Sequence, residues 1–177
     1  PCSMDDKEMT DLKEVIDIRD ALSADAAAIA EIYNHYVNDT VITFEGKPVP
    51  PSEIDRRIRE VRSLALPWLI ARLNHEIAGY AYASKWKERA AYRFSVEVTV
   101  YVSPDHVRHG IGLQLYNRLL PELKARGVHA AMAGIALPND ASVKLHEKLG
   151  FEKVAQFKEV GFKFDQWIDV GYWQRIL

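Results

Sequence analysis

A short glycine-containing loop between a strand and a helix is the feature of this sequence that most clearly suggests chemistry. Residues 95–102 (SVEVTVYV) alternate as a strand does, and Gly110 and Gly112 precede a helix-forming run. Backbone N–H groups at a helix start point outward, and glycines let an anion approach them closely. Arg108 can add positive charge, and so can His109 when it is protonated. The loop is therefore either a site for a diphosphate or an ordinary helix start with two turn glycines.

Two common nucleotide motifs do not explain this loop. A dinucleotide-binding fingerprint requires a third small residue where this chain has Leu115. A P-loop requires Gly-Lys-Ser/Thr, which the sequence lacks. The one cysteine, Cys2, provides neither a disulfide framework nor a zinc pattern.

The elements that must position the loop alternate between strand and helix patterns. Period-two or apolar runs predict strands at residues 15–19, 67–73, 77–84, 95–102, 129–136, 154–164 and 167–175, with residues 40–44 also extended. Period-3.6 runs predict helices at residues 26–37, 52–64, 113–126 and 141–149. This interleaving predicts one α/β (α+β) domain over residues 15–177 with a mixed central sheet, after a disordered leader at residues 1–14.

Local signals place the ends of these helices. Ser23 or Asp25 is expected to cap the first helix, because a side-chain oxygen there can accept a free N–H group. Gly127 and Gly150 are expected to end the two later helices. Pro121 lies inside the helical run and should kink it.

Composition excludes several functional classes. The chain has 177 residues, of which 48% are hydrophobic and 27% charged, as in one globular domain. The net charge is −2 with scattered Lys and Arg, so no nucleic-acid partner is expected. No apolar run reaches the ~20 residues that a membrane helix needs, so no membrane partner is expected. The cysteine usage favours a reducing, cytoplasmic setting.

Two signatures in this chain resemble those of the GNAT superfamily of N-acetyltransferases. Residues 107–112 (VRHGIG) resemble its motif A, Gln/Arg-x-x-Gly-x-Gly/Ala, although Val107 stands where the family prefers Gln or Arg. The second signature, Asn-x-x-Ala/Ser-x-x-Leu-Tyr-x-x-x-Gly-Phe, is matched by Asn139, Ser142, Leu145, His146, Gly150 and Phe151. Further runs look like the phosphinothricin N-acetyltransferase branch, which includes methionine sulfoximine and methionine sulfone acetyltransferases: YNHYV, WKERAAY, VEVTVYVS, LPNDASVKLHEKLGF, VGFKFDQW and DVGYWQR. The resemblance covers roughly residues 15–177.

The resemblance implies a GNAT fold and acetyl-CoA as cosubstrate, with no metal. The strand before the loop should carry a bulge whose free N–H polarises the thioester carbonyl. Asn139 either contacts the coenzyme arm or only caps a helix. The implied coenzyme contacts are Val100, Tyr101, Val102, Arg108, His109, Gly110, Ile111, Gly112, Leu113 and Asn139.

Three residues match catalytic positions of the family. An α-ammonium must lose a proton before it attacks a thioester, and Glu97 is the implied base. On its own, Glu97 also fits a solvated glutamate on a sheet face. His146 stands where many members have a tyrosine acid, and it is either an acid or base or a structural histidine. Tyr101 is its rival for protonating the leaving sulfur.

Residues 87–92 match the branch's substrate loop. Arg89 can grip a carboxylate or phosphinate with two donors, and Lys87 can add charge, unless both are solvated loop cations. Phe44 matches a pocket residue or belongs to the core. The implied substrate contacts are Phe44, Lys87, Arg89, Ala90, Ala91, Tyr92 and Glu97.

The function that the resemblance implies is acetylation of the α-amine of a small amino-acid analogue. The alternatives are a GNAT enzyme acting on a protein N-terminus or another amine, and a non-catalytic acyl-CoA sensor. A homodimer is the oligomeric state that the family suggests.

Overall fold

Seven strands form one mixed sheet in the computed structural model, which describes residues 15–177. The predicted leader at residues 1–14, with Cys2, lies outside the described residues. In chain order the strands are β1 Ile16–Asp20, β2 Trp68–Leu73, β3 Glu76–Lys85, β4 Ser95–Val102, β5 Ala130–Leu137, β6 Glu152–Lys163 and β7 Gln166–Ile176. Their order across the sheet is β1-β2-β3-β4-β5-β7-β6, and β4 and β5 pair in parallel while the other neighbours are antiparallel. The predicted α/β class with a mixed sheet is confirmed.

Helices cover both faces of the sheet. They are α1 Ala26–Asp39, α2 Pro51–Ser63, α3 Ile111–Ala125 and α4 Asp140–Lys148. The apolar faces of α1 and α2 pack with Trp68, Ile70 and Tyr80, whereas α3 packs on the opposite face with Leu69, Ala81 and other residues. No helix within residues 15–177 combines the length and apolarity that a membrane span requires.

Strand β4 presents different residues to these two layers. Val96 and Val98 are buried in the core beneath α3. Glu97, Thr99 and Tyr101 alternate with them and therefore face the α1 side. The strand thus carries polar groups on one face and the wall of a core on the other.

The predicted hairpin turn and helix ends are largely confirmed. Asn74 and His75 join β2 to β3 with positive φ angles of 51° and 72°, as a tight hairpin turn requires. Gly127 and Gly150 follow α3 and α4 with φ angles of 85° and 80°, which glycine adopts without strain. Helix α3 continues past Pro121 to Ala125.

The predicted cap of α1 is confirmed in position but not in its hydrogen bond. Asp25 is the N-cap residue of α1, but no side chain there accepts a helix N–H group. The Asp25 carboxylate instead accepts the Leu22 N–H at 2.7 Å and two hydrogen bonds from Arg19 at 2.7 and 2.8 Å. Asp25 therefore closes the 3₁₀ turn Ser23–Asp25 that precedes the helix, because the arginine and this turn compete for its oxygens.

Residues 40–44 do not form the predicted extended segment. They bend after α1, and the Thr40 hydroxyl donates to the Tyr36 carbonyl at 2.7 Å. The β-branched residues favoured a strand, but this segment is paired with no edge of the described sheet.

The predicted bulge in β4 is also wrong. From Gly79↔Val102 to Lys85↔Val96, the pairing of β4 with β3 keeps one regular register. On its other side β4 pairs with β5 only at Ser95, Val96 and Glu97. The two parallel strands then diverge, so the backbone of residues 98–102 faces a gap instead of a neighbouring strand.

Candidate active site

A cavity of about 570 Å³ occupies the gap between the diverging strands. From the α1 side it is lined by Glu97, Thr99 and Tyr101, with Phe157 and Tyr172 from β6 and β7. From the α3 side it is lined by Tyr116, Asn139, Ser142 and His146. The cavity therefore lies where both faces of the sheet can be reached.

Glu97 lies on the cavity wall at the point where the strands separate. It is the last residue of β4 that pairs with β5, opposite Met132. Burial raises the pKa of its carboxyl, and the positive charge of Lys87 partly offsets this rise. A partly buried carboxylate with a raised pKa is a better proton acceptor near neutral pH than a solvated one. The interpretation as a solvated glutamate is thus not supported by its surroundings.

Tyr101 belongs to a group of aromatic rings on the α1 face. Its ring centroid lies 5.3 Å from that of Tyr33, 5.0 Å from Tyr36 and 5.6 Å from Tyr80. Burial strongly raises the pKa of the Tyr101 hydroxyl. It therefore stays protonated at neutral pH and can donate a hydrogen bond.

His146 is buried, with only 3% of its surface exposed, and both of its ring nitrogens have partners. Nδ1 lies 2.7 Å from the Ser142 carbonyl oxygen, which can only accept, so Nδ1 carries the proton. Nε2 then accepts from the Tyr116 hydroxyl at 3.1 Å. Burial lowers the pKa of His146, which favours the neutral ring. The geometry describes a neutral histidine that orients a tyrosine hydroxyl.

The glycine loop has a backbone conformation suited to an anion. Arg108 and Gly110 both have positive φ angles, 69° and 71°, and Gly110 is the N-cap of α3. No side chain caps this helix, so the N–H groups of Ile111, Gly112 and Leu113 in its first turn have no partner within the helix. Arg108 and His109 are exposed at the same end. The loop thus offers free amides and positive charge together.

Gly112 places this first turn beside the cavity. A Cβ atom at Gly112 would lie 3.1 Å from Leu145 Cδ2 and 3.8 Å from a methyl group of each of Val100 and Val102. A side chain here would press against Leu145, so glycine lets α3 begin close to β4 and α4. The side chain of Ile111, by contrast, lies in the core and can offer only its amide.

Asn139 caps a helix and faces the cavity. Its side-chain oxygen accepts the Ser142 N–H at 3.2 Å and caps α4. The residue also lines the cavity.

Phe44 lies in the cavity wall and not in the core. It is 44% exposed and lines the cavity with its neighbours Ile42 and Thr43. Its ring packs over the backbone of Gly161, where a Cβ atom would lie 2.3 Å from Phe44 Cζ.

The predicted substrate loop lies only partly near the cavity. Lys87 and Tyr92 line a second cavity of about 540 Å³, together with Trp86 and Gln174. This second cavity shares Phe157 and Tyr172 with the first. Arg89, Ala90 and Ala91 are exposed and line neither cavity. The structure therefore brings Lys87 toward Glu97 but leaves Arg89 in solvent.

Sequence reasoning missed two tyrosines of the site. Tyr116 looked like an apolar position of an amphipathic helix, and Tyr172 like part of a paired strand. A tyrosine on the buried stripe of a helix was the one available signal, because a buried hydroxyl needs a partner. Within residues 15–177, no group of three or more His, Cys, Asp or Glu side chains is arranged to hold a metal ion.

Two curated proteins are similar to this chain over most of its length. The phosphinothricin N-acetyltransferase of Streptomyces viridochromogenes is 41% identical over 94% of this chain and 91% of that protein. The L-methionine sulfoximine/L-methionine sulfone acetyltransferase of Salmonella typhimurium is 40% identical over 89% of this chain and 92% of that protein.

Solved structures share the fold. A GNAT superfamily phosphinothricin acetyltransferase from Sinorhizobium meliloti, in complex with AcCoA, superimposes with a TM-score of 0.89 at 36% identity over 92% of this chain and 88% of that one. A ribosomal-protein-alanine N-acetyltransferase from Brucella melitensis superimposes with a TM-score of 0.88 at 34% identity over 90% and 99% of the two chains. The family described as the acetyltransferase (GNAT) domain matches residues 18–171. The chain therefore belongs to the GNAT acetyltransferase family.

Proposed function

We propose that this chain transfers the acetyl group of acetyl-CoA to the α-amine of a small amino-acid analogue of the phosphinothricin, methionine sulfoximine or methionine sulfone type. The names of its relatives support this choice of cosubstrate and acceptor. The observation that carries the proposal is the cavity between β4 and β5, which exposes Glu97 on one face of the sheet and lies beside the amides of α3 on the other.

We place acetyl-CoA on the α3 side of the sheet. Its diphosphate lies against the amides of Ile111, Gly112 and Leu113, with positive charge from Arg108. The pantetheine arm follows the backbone of residues 100–102, which has no strand partner on the β5 side, and reaches Asn139. The thioester carbonyl is polarised by an N–H of that same unpaired backbone, so the divergence of β4 and β5 supplies what a bulge would have supplied.

Glu97 is the base in this scheme. It takes a proton from the substrate ammonium, directly or through a water molecule, and the neutral amine attacks the thioester carbonyl. Its raised pKa brings the carboxyl closer to the pH at which the enzyme works.

The leaving thiolate is stabilised by the hydroxyl of Tyr101. Tyr101 and Tyr116 both line the cavity, and burial raises the pKa of each hydroxyl, so each stays protonated. The single proton of Tyr116 is donated to His146 Nε2, which leaves Tyr101 as the donor to the sulfur. We therefore assign His146 as a positioning residue and not as the base.

The acceptor lies on the α1 side between Phe44 and Tyr172. Lys87 is the loop cation whose charge reaches Glu97, so the acidic group of the acceptor is placed near Lys87. Arg89, Ala90 and Ala91 form the exposed part of this loop, whereas Tyr92 lines the second cavity with Lys87.

Acetylation of a protein N-terminus is the second candidate, because the Brucella melitensis neighbour carries that activity in its name. We place the smaller acceptor first because the phosphinothricin and methionine sulfoximine/methionine sulfone acetyltransferases are 41% and 40% identical to this chain, whereas that neighbour is 34% identical.

A cytoplasmic location and a homodimer complete the proposal. Acetyl-CoA is an intracellular metabolite, which supports the location. The tip of the β6–β7 hairpin exposes Phe162 by 56% and Trp167 by 65%, with ring centroids 4.8 Å apart. A second copy of the chain, related by a two-fold axis, can cover such a patch with the same patch.

Steady-state kinetics with a panel of acceptors tests the proposed function. The panel contains phosphinothricin, methionine sulfone, methionine sulfoximine and a peptide with an N-terminal alanine. We expect turnover of at least one amino-acid analogue with a kcat/KM well above that of the peptide. A preference for the peptide supports the second candidate. Acetyl-CoA binding without turnover of any acceptor identifies a sensor and contradicts the proposal.

A further inference from the structure

A buried lysine outside the catalytic scheme joins the β6–β7 hairpin to the cavity wall. Lys163 is 9% exposed, near the end of β6. Its Nζ donates to the Val37 carbonyl in the last turn of α1 at 2.7 Å and to the Thr43 carbonyl at 2.8 Å. One ammonium group therefore holds together three segments that lie far apart in the sequence.

Two backbone carbonyls compensate the energetic cost of burying the Lys163 ammonium group. Burying an ammonium is unfavourable unless it is hydrogen-bonded, and bonds from a charged donor are stronger than neutral ones. The carbonyl of Val37 lies at the C-terminal end of a helix, where the helix dipole favours a cation. The carbonyl of Thr43 belongs to a segment without regular secondary structure. The lysine thus fixes that segment to a helix end.

Gly161, two residues earlier on the same face of β6, receives the neighbouring side chain. The Phe44 ring lies over its backbone so closely that a Cβ atom would fall 2.3 to 3.0 Å from three ring atoms. Gly161 does not have a positive φ angle. Glycine is therefore required here because there is no room for a side chain, and not because of the backbone conformation.

The same segment is held from the other side by helices. The Tyr33 hydroxyl lies 2.9 Å from Thr43 Oγ1 and donates to Glu45 at 3.0 Å. Arg57 of α2 pairs with Glu45 at 3.1 Å. Ile42, Thr43 and Phe44 line the cavity. The contacts from the helices and those from β6 therefore together fix the position of this part of the cavity wall.

We propose that Lys163 and Gly161 are positioning residues for the acceptor side of the active site: they clamp residues 42–44 against β6 and so set the shape of the pocket that receives the amino-acid substrate. The inference rests on the proposed function for the identity of the acceptor. The clamp itself is a structural property that can be measured without any acceptor.

The first test compares Lys163→Met with Lys158→Met, the same change at an exposed position of β6. Loss of the charged donor leaves the Thr43 carbonyl unpartnered, so we expect KM for the acceptor to rise about tenfold or more, in line with the loss of a charge-assisted bond. KM for acetyl-CoA should change less than about twofold, because the coenzyme amides lie on the opposite face of the sheet. Equal effects on both substrates, or no effect, would overturn the proposal.

A double-mutant cycle separates the clamp from a general loss of stability. Gly161→Ala should raise KM for the acceptor, because the new methyl group displaces the Phe44 ring. In the Phe44→Ala background the ring is absent, so Gly161→Ala should have almost no further effect. Additive effects of the two changes would contradict the assigned contact.

Hydrogen exchange followed by mass spectrometry gives the readout that needs no acceptor. The peptide containing residues 40–46 should exchange faster in Lys163→Met than in wild type or Lys158→Met, while peptides from α3 should be unchanged. Unchanged exchange at residues 40–46 would refute the clamp even if the enzyme is active. If the wild-type enzyme acetylates no amino-acid analogue but residues 40–46 exchange faster in Lys163→Met, the proposed function is wrong and the clamp is supported.

Discussion

At the scale of single residues, two titratable side chains of the cavity have opposite pKa shifts for the same reason. Burial disfavours the charged form of each, which raises the pKa of Glu97 and lowers that of His146. The partners of His146 then fix its proton on Nδ1, whereas Glu97 keeps a face toward the cavity. This difference is why we assign proton abstraction to the carboxylate.

Glu97→Gln should lower kcat by about 10²–10⁴-fold, because the amide keeps the shape of the side chain but cannot take a proton. Acetyl-CoA affinity, measured by calorimetry, should be preserved. Raising the pH should partly restore the rate, since more of the amine then arrives neutral. Full kcat at neutral pH in the variant would remove Glu97 from the mechanism.

The pH dependence of kcat/KM is a second test of the role of Glu97, because the direction in which it shifts can be predicted. The base must be ionised, so kcat/KM should fall as the pH drops through the folded pKa of Glu97, which lies above the ordinary value of a glutamate. Lys87 lowers this pKa, so Lys87→Met should move the acidic limb to higher pH. If the acidic limb moves to lower pH in Lys87→Met, the assigned interaction between Lys87 and Glu97 is wrong.

His146→Asn and Tyr116→Phe should each reduce kcat far less than Glu97→Gln, because each loses an oriented hydrogen bond and not the base. The double variant should lose little more than the single ones, since the two side chains act as a bonded pair. If His146→Asn matches the loss of Glu97→Gln, and the combined Glu97/His146 variant greatly exceeds both, histidine is a second base.

At the scale of elements, the start of α3 depends on backbone conformation more than on space. Gly110 has a φ of 71° and nothing within 4 Å of a Cβ position. A β-branched residue is strained there, by roughly 1–3 kcal/mol. The amides of the first turn should therefore lose their alignment when Gly110 is replaced.

Gly110→Val should weaken acetyl-CoA binding by about tenfold or more, as expected from strain of this size. Gly46→Val is the matched control, because Gly46 also has open space around a Cβ but no positive φ. Calorimetry on both folded variants makes the comparison. Unchanged affinity in Gly110→Val would refute the assignment of this loop to the diphosphate.

Replacements in the loop at residues 87–92 should affect the acceptor and not the coenzyme. We expect Lys87→Met to raise KM for the acceptor more than Arg89→Ala does, because Lys87 lines the second cavity and its charge reaches Glu97, whereas Arg89 lines neither cavity. Glu88→Gln serves as the control within the loop. A change in KM for acetyl-CoA in either variant would contradict this division.

At the scale of the whole molecule, the tip of the β6–β7 hairpin lies between the proposed dimer patch and the proposed clamp. Trp167 and Phe162 lie on one face of the hairpin, and Gly161 and Lys163 on the other. Wild type should have the mass of a homodimer by light scattering, and Trp167→Lys should shift it toward the monomer, since a charge is then buried in an apolar contact. A monomeric wild type at micromolar concentration would refute the dimer.

The sequence alone determined those features that depend on neighbouring residues. Alternation in β4, the helical period of α2, the turn between β2 and β3 and the positive-φ glycines after α3 and α4 are local patterns, and each was confirmed. The two signatures at residues 107–112 and 139–151 together indicated the family, because each lies within a short stretch of chain. Local preference failed for the hydrogen bond of the Asp25 cap, whose oxygens have other partners, and for the extended segment at residues 40–44, which pairs with no strand.

Only the tertiary structure decided what depends on distant residues. Strands β4 and β5 are distant in the sequence and meet only in the sheet. They pair over three positions and then diverge, and this divergence creates the cavity. Tyr116 meets His146 across 30 positions, and Lys163 meets Thr43 across 120. No periodicity encodes such contacts, because burial and hydrogen bonding are satisfied by whichever groups the packed fold brings into reach.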